Sequence, residues 1–228
     1  MSKTIDFYFD FVSPYTFISF QQIKSQKFKQ NFRFRLKPVL LGGLHNLHEI
    51  TAPAFIPAKA KFMIRDCKMV SEKYKISFKF NTYFPIKTVN LMRGVLIAEE
   101  DGVANNYIDK IFEAMWVSGL NLNDQQVIDK VLKNLTVNPK TFLLRLSNQN
   151  IKDELKKRTQ EAYEKGVFGA PTFVVNNKIF WGQDRLEYAL AESLKYYFFF
   201  FRNYFKTILL HSIKATINMS YICKTHIN

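Results

Sequence analysis

Cysteine is nearly missing from this chain. Cys67 and Cys223 are the only two in 228 residues, far apart and in no redox or zinc-finger spacing. That excludes a disulfide scaffold and disfavours a dithiol redox centre. Long apolar runs are missing too: no uninterrupted run reaches the roughly 20 residues that a membrane-spanning helix requires. The N-terminus opens on a charged strand, without the basic segment and apolar stretch of a signal peptide. The expected location is the cytoplasm, with no membrane partner. Acidic residues are few, 19 against 33 Lys and Arg, for a formal charge of +14. The basic residues are dispersed, however, and Lys, Asn, Ile, Phe and Tyr are abundant together, as an AT-rich coding sequence produces. No basic helix or aromatic-basic ribonucleoprotein motif occurs, so no nucleic-acid partner is expected. "LGGL" lacks the lysine and spacing of a phosphate-binding loop. What is plentiful is apolar: hydrophobic residues are 47% and aromatics 16%. That is ample core for one large domain or two small ones.

"TIDFYFDF" alternates strictly, with Ile5, Phe7, Phe9 and Phe11 on one face, and reads as a strand. "FRFRLKPV" repeats the pattern with Phe32, Phe34 and Leu36. Residues 14 to 30 between them have room for a helix, so the opening predicts a β-α-β unit with parallel strands. From Leu44 to about Gly166 the pattern is helical. One helix carries Ala60, Ile64, Cys67, Val70 and Tyr74, and another carries Tyr107, Ile108, Ile111, Phe112, Met115 and Trp116, closed by Gly119. Asn123 is the expected cap of the next helix, with Gln126 in capping-box register and Val127, Ile128, Val131, Leu132 and Leu135 as its buried face. A further helix over about 150 to 165 stops at Gly166. "PTFVV" and "KIFWG" predict a hairpin turning at Asn176-Asn177, and "DRLEYALAESLK" a final amphipathic helix.

The residues that could carry chemistry lie at the two ends of this pattern. Ser13-Pro14 is a good helix start, serine as N-cap and proline in the first turn. The same geometry favours an anion, and a serine hydroxyl there can donate to a thiolate or oxyanion. Serine as a covalent nucleophile is less attractive, since no histidine lies nearby in sequence. Ala170-Pro171 opens a strand where proline cannot simply continue the ladder; a cis peptide is one solution, leaving Ala170 to pair with an extended peptide. Asp184 serves either as the N-cap of the final helix or as a partner for an ammonium group. His45, His48 and Glu49 have only generic spacing, and no metal is expected. Met92, Met115 and Trp116 read as packing between helices, at the border of an apolar pocket.

"FYFDFVSPYTF", "KPVLLGGL", "PAKAKFMIRD", "GVFGAPTF" and "FWGQDRLE" occur in that order. On these motifs the chain resembles the 2-hydroxychromene-2-carboxylate isomerase family, which is related to kappa-class glutathione transferases and DsbA-like oxidoreductases. The resemblance runs from about residue 4 to residue 195. It implies an α/β, thioredoxin-like fold, residues 1–43 and 167–195, with a large all-helical insertion at 44–166. Residues 196–228 fall outside it; they contain no acidic residue and are expected to be a poorly ordered extension, with an amphipathic membrane-surface element as the alternative.

The resemblance further implies glutathione as cofactor, supplying the thiol that the Ser-Pro-Tyr-Thr junction lacks. Ser13 would hydrogen-bond its sulfur and favour the thiolate. Pro14 and Tyr15 would line the junction, Ala170 before Pro171 would pair with the cysteinyl backbone, Gln183 and Asp184 would hold the γ-glutamyl end, and Lys59 an anionic part. The partner substrate would be small, hydrophobic and anionic, the active form a homodimer. Two positions depart from the family pattern: Ile50 stands where members often carry Asn, with Asn46 nearby, and Lys87 replaces the Asn of a Phe-Pro-x-Asn motif. Lys37, Lys87 and Trp116 are the candidate substrate-pocket residues. A kappa-like glutathione transferase and a non-catalytic thioredoxin-like binding or chaperone module are the alternatives.

Overall fold

The alternation of Ile5, Phe7 and Phe9 places their side chains on one face of an extended segment, and that segment is an inner strand of the molecule, β1 (Thr4–Phe9). The computed structural model describes residues 4–25, 32–135 and 137–195. β1 leads into α1 (Pro14–Lys24) and then β2 (Arg33–Pro38), which pairs with β1 in parallel. From the far end of the chain, β3 (Thr172–Val175) pairs antiparallel with β1, and β4 (Lys178–Trp181) antiparallel with β3. The sheet order is β2-β1-β3-β4. Asn176 and Asn177 both take positive φ in the two-residue turn between β3 and β4, a conformation asparagine tolerates well.

Between β2 and β3 lie α2 (Leu41–Leu47), a short 3-10 turn at Pro53–Phe55, α3 (Pro57–Lys73), α4 (Val89–Glu100), α5 (Ala104–Trp116), α6 (Gln125–Lys133), α7 (Pro139–Arg145) and α8 (Gln149–Glu164). After β4 come a 3-10 turn at Gln183–Arg185 and a last helix, α9, over residues 186–195. This is the thioredoxin-like arrangement with a helical insertion. The expectations for residues 196–228 lie outside the described residues.

The core sits on the α1 face of the sheet. Phe7 stacks on Phe173 at 5.2 Å between ring centres, and Phe11 meets Phe112 edge-on at 4.8 Å. α4 and α5 approach so closely at Gly94 that a Cβ there would lie 2.1 Å from the Tyr107 hydroxyl, which itself donates to Leu91 O at 3.0 Å.

Three local expectations are corrected. α3 buries Met63, Cys67, Val70 and Ser71, whereas Ile64 is 47% exposed and Tyr74 39%; its inner face is rotated because it packs along α1, and a one-sided apolar count cannot see the partner. Asp124, not Asn123, caps α6, accepting from Gln126 N at 2.9 Å. Asn123 instead accepts from Lys87 N at 3.1 Å. Asp184 falls inside the 3-10 turn and does not cap α9.

Candidate active site at the β1–α1 junction

Pro14 at the first position of α1 has no N–H to leave unpaired, and Ser13 before it caps the helix. Its Oγ accepts from Thr16 N at 3.2 Å, and its hydroxyl donates to Ala170 O at 2.9 Å. Ala170 is joined to Pro171 by a cis bond and leads into β3. Residues 157 apart in sequence are thereby joined at the end of β1. Gly182 N donates to Pro171 O at 3.0 Å, which sets the Gln183–Arg185 turn beside the same loop. Gly182 has φ 111°, a conformation that disfavours a side chain. The Gln183 Oε1 is buried without a hydrogen-bond partner, and Asp184 is ion-paired with Arg185. The structure thus brings Ser13, Pro14, Ala170 and Pro171 into one junction, with Gln183 and Asp184 at its side.

Asp10 holds the junction from beneath, a role the sequence pattern did not reveal. Its carboxylate is fully buried and accepts from Val12 N at 3.1 Å and Leu41 N at 2.8 Å, while Thr88 adds a side-chain hydrogen bond. Its own carbonyl accepts from Ser13 N at 3.2 Å. Burial pushes the Asp10 carboxyl above the usual carboxylate range, and the bonds from Leu41, Thr88 and Val12 oppose the shift. An acid raised in this way favours the fold most below the ordinary value of 3.8, and that share of stability is lost as pH rises through the raised value. Asp10→Asn turns an amide NH2 toward one of the backbone donors. It is expected to lower unfolding free energy by about 1–3 kcal/mol, read by urea titration; unchanged stability would show that the carboxylate does not hold the turn.

Tyr15, in the first turn of α1, donates its hydroxyl to Asp66 Oδ2 of α3 at 2.9 Å, tying the insertion to the junction. Cys67 lies next to this pair and is the only cysteine among the described residues. Burial, then the Asp66 charge, pushes its thiol up to about 12, against the opposing Tyr15 hydrogen bond. Such a thiol is protonated at neutral pH and cannot serve as a nucleophile. Peptide mapping after alkylation of the native protein is therefore expected to find Cys67 unmodified, and modified only after unfolding. Rapid native labelling would contradict the burial described.

The remaining candidates are spread more widely. Lys59 is exposed in the first turn of α3. Lys87 is exposed and precedes Thr88, so its loop flanks the floor of the junction. Trp116 has no exposed surface. It stacks with Phe78 at 5.9 Å and donates its indole N–H to Phe11 O at 2.8 Å, so it supports the junction from within. Lys37 lines a separate cleft between β2 and α8. Asn46 and Ile50 are exposed at α2 and just beyond it. Among the described residues no group of three or more His, Cys, Asp or Glu is placed to hold a metal ion, and no helix is long and apolar enough to cross a membrane. Thr16, one turn along α1 from Ser13, is fully buried with its hydroxyl unpartnered; neither it nor Asp66 stood out in the sequence.

The family model of the DSBA-like thioredoxin domain matches residues 4–195. The chain belongs to this family. Within it, a 2-hydroxychromene-2-carboxylate isomerase from Sphingobium xenophagum is 26% identical over 194 residues, 82% of this chain and 96% of that protein. Glutathione S-transferase kappa 1 from Rattus norvegicus is 23% identical over 208 residues, 84% of this chain and 92% of that one. A solved 2-hydroxychromene-2-carboxylate isomerase superimposes with a TM-score of 0.73 at 20% identity, covering 93% of this chain and 98% of that structure. The DSBA-like fold is thus present here with serine, proline, tyrosine and threonine at the helix start, where no cysteine occurs.

Proposed function

We propose that this chain is a glutathione-dependent isomerase acting on a 2-hydroxychromene-2-carboxylate or a similar conjugated aromatic oxo-acid. The observation that carries the reading is the Ser13 hydroxyl, held at the N-terminus of α1 against the carbonyl of Ala170. A helix N-terminus favours an anion, and a hydroxyl donor there favours a thiolate over a thiol. The relatives, isomerases and glutathione transferases by name, support the same chemistry.

In this mechanism the cysteinyl segment of glutathione lies along Ala170. Ser13 turns its O–H from the Ala170 carbonyl to the sulfur, exchanging a neutral acceptor for a charged and stronger one. The carbonyl is then open to the cysteinyl N–H. Pro14 and Tyr15 line the sulfur site, Gln183 and Asp184 take the γ-glutamyl end, with the unpartnered Gln183 Oε1 as an acceptor for its ammonium, and Lys59 takes an anionic part. The thiolate adds to the conjugated double bond: a C–S bond forms and the electron pair moves onto the oxo-acid as an enolate. The former double bond rotates as a single bond. Return of the electron pair breaks the C–S bond and expels the thiolate, so glutathione is not consumed. The cis product closes when its phenol adds to the ketone. Lys87 beside the junction pairs with the substrate carboxylate. The enzyme acts in the cytoplasm as a homodimer; exposed Phe55, Phe62 and Met69, in and just before α3, are apolar surface of the kind a subunit covers.

The second reading is a kappa-like transferase, favoured by the kappa-class relatives and by the departure of position 87 from the isomerase family's Phe-Pro-x-Asn motif. One assay separates them. With the trans-hydroxybenzylidenepyruvate substrate, an isomerase gives ring-closed product without loss of free thiol, and a transferase consumes thiol stoichiometrically. Glutathione binding with neither activity would leave a non-catalytic binding module.

A further inference from the structure

On the sheet face opposite the main core, a cavity of about 410 Å³ opens between β2 and α8, within the size range of small-ligand sites, about 300–1,000 Å³. Its walls are Tyr8 and Lys37 from the paired strands, Glu99 from the end of α4, and Glu154, Lys157, Arg158, Glu161 and Lys165 along and just beyond α8. The acidic groups are engaged. Arg158 bonds Glu154 and Glu99, each at 2.8 Å, and Glu161 stands 3.9 Å from Lys157. Lys37 and Lys165 have no carboxylate partner among the described residues. Lys165 faces the Tyr8 side chain, and Lys37, the cross-strand neighbour of Tyr8 on β2, lines the same cleft. Burial pushes the Tyr8 phenol up, and Lys165 pulls it back. A phenol facing an ammonium keeps its own O–H to donate. Leu36, Pro38, Val39 and Ala162 add an apolar rim.

We infer that this cleft binds the phosphate head of a small organic phosphomonoester, with Lys37 and Lys165 as counter-charges, Tyr8 as hydrogen-bond donor and the Leu36–Val39 rim against the organic group. Two cations without carboxylate partners and a phenol donor in one cleft suit a compact dianion better than two separated carboxylates. The site lies apart from Ser13 and does not depend on the glutathione reading.

Calorimetric titration of the full chain with phenyl phosphate tests the inference, with phenol and succinate as controls. One site is expected, competed by inorganic phosphate but not by glutathione. Lys165→Ala and Lys37→Gln are each expected to weaken it by about tenfold, the worth of one charge-assisted hydrogen bond. Tyr8→Phe keeps the packing and is expected to weaken binding while circular dichroism stays native. Absence of phenyl phosphate binding, binding indifferent to Lys165→Ala, or displacement by glutathione would each overturn the site. Succinate binding as tight as phenyl phosphate would overturn the assignment to phosphate.

Discussion

Ser13→Ala is expected to slow the glutathione-dependent reaction by roughly 10- to 100-fold, the worth of one hydrogen bond to a charged group. The loss should fall on turnover, because the hydroxyl acts on the sulfur while the glutathione backbone is held by Ala170 and the Gln183–Arg185 turn. The ultraviolet thiolate signal of bound glutathione at neutral pH should fall in parallel. The same change removes the α1 cap, at a cost of about 1 kcal/mol, so the variant should remain folded. A full rate in Ser13→Ala would mean that the serine does no more than start the helix.

Trp116→Ala is expected to be the most damaging of the changes to the fold. The ring is fully buried and packs against Phe78, Phe80 and Phe84 at 5.9, 5.7 and 5.9 Å. Emptying such a site costs about 3–5 kcal/mol, and in a domain of this size each kcal/mol lowers Tm by about 2–4 °C. A fall of roughly 10 °C follows, measured by thermal unfolding. The change also frees the Phe11 carbonyl, two residues before Ser13. Trp116→Phe separates the effects: most of the packing remains, and the unpaired carbonyl alone costs about 1–3 kcal/mol. Equal stability of the two variants would show that the indole hydrogen bond, not the ring volume, holds the site.

The strands were legible because their signal is local. Phe7 and Phe9 alternate with polar neighbours, and the asparagine pair marks its own turn. Ser13-Pro14 and Ala170-Pro171 were legible for the same reason, each a short motif with its own backbone consequence. What the sequence left hidden depends on partners. Asp10 is an ordinary polar residue at a strand end until Leu41 and Thr88 close over it. Asp66 matters because Tyr15, 51 positions earlier, reaches it. Ile64 and Met63 compete for the inside of α3, and only the position of α1 decides between them. Trp116 read first as packing between helices and second as a pocket border, and the ring is fully buried.

In the proposed mechanism the missing cysteine is replaced by the thiol of glutathione, bound as its thiolate. Free glutathione, with a thiol pKa of about 8.5, is mostly protonated at neutral pH, so binding as thiolate must release a proton. Calorimetric titration of glutathione into the protein, repeated in buffers of different ionisation enthalpy, counts that proton directly. Saturable binding with release of most of one proton per glutathione is expected, diminished in Ser13→Ala. Binding without proton release, or no binding, would contradict it.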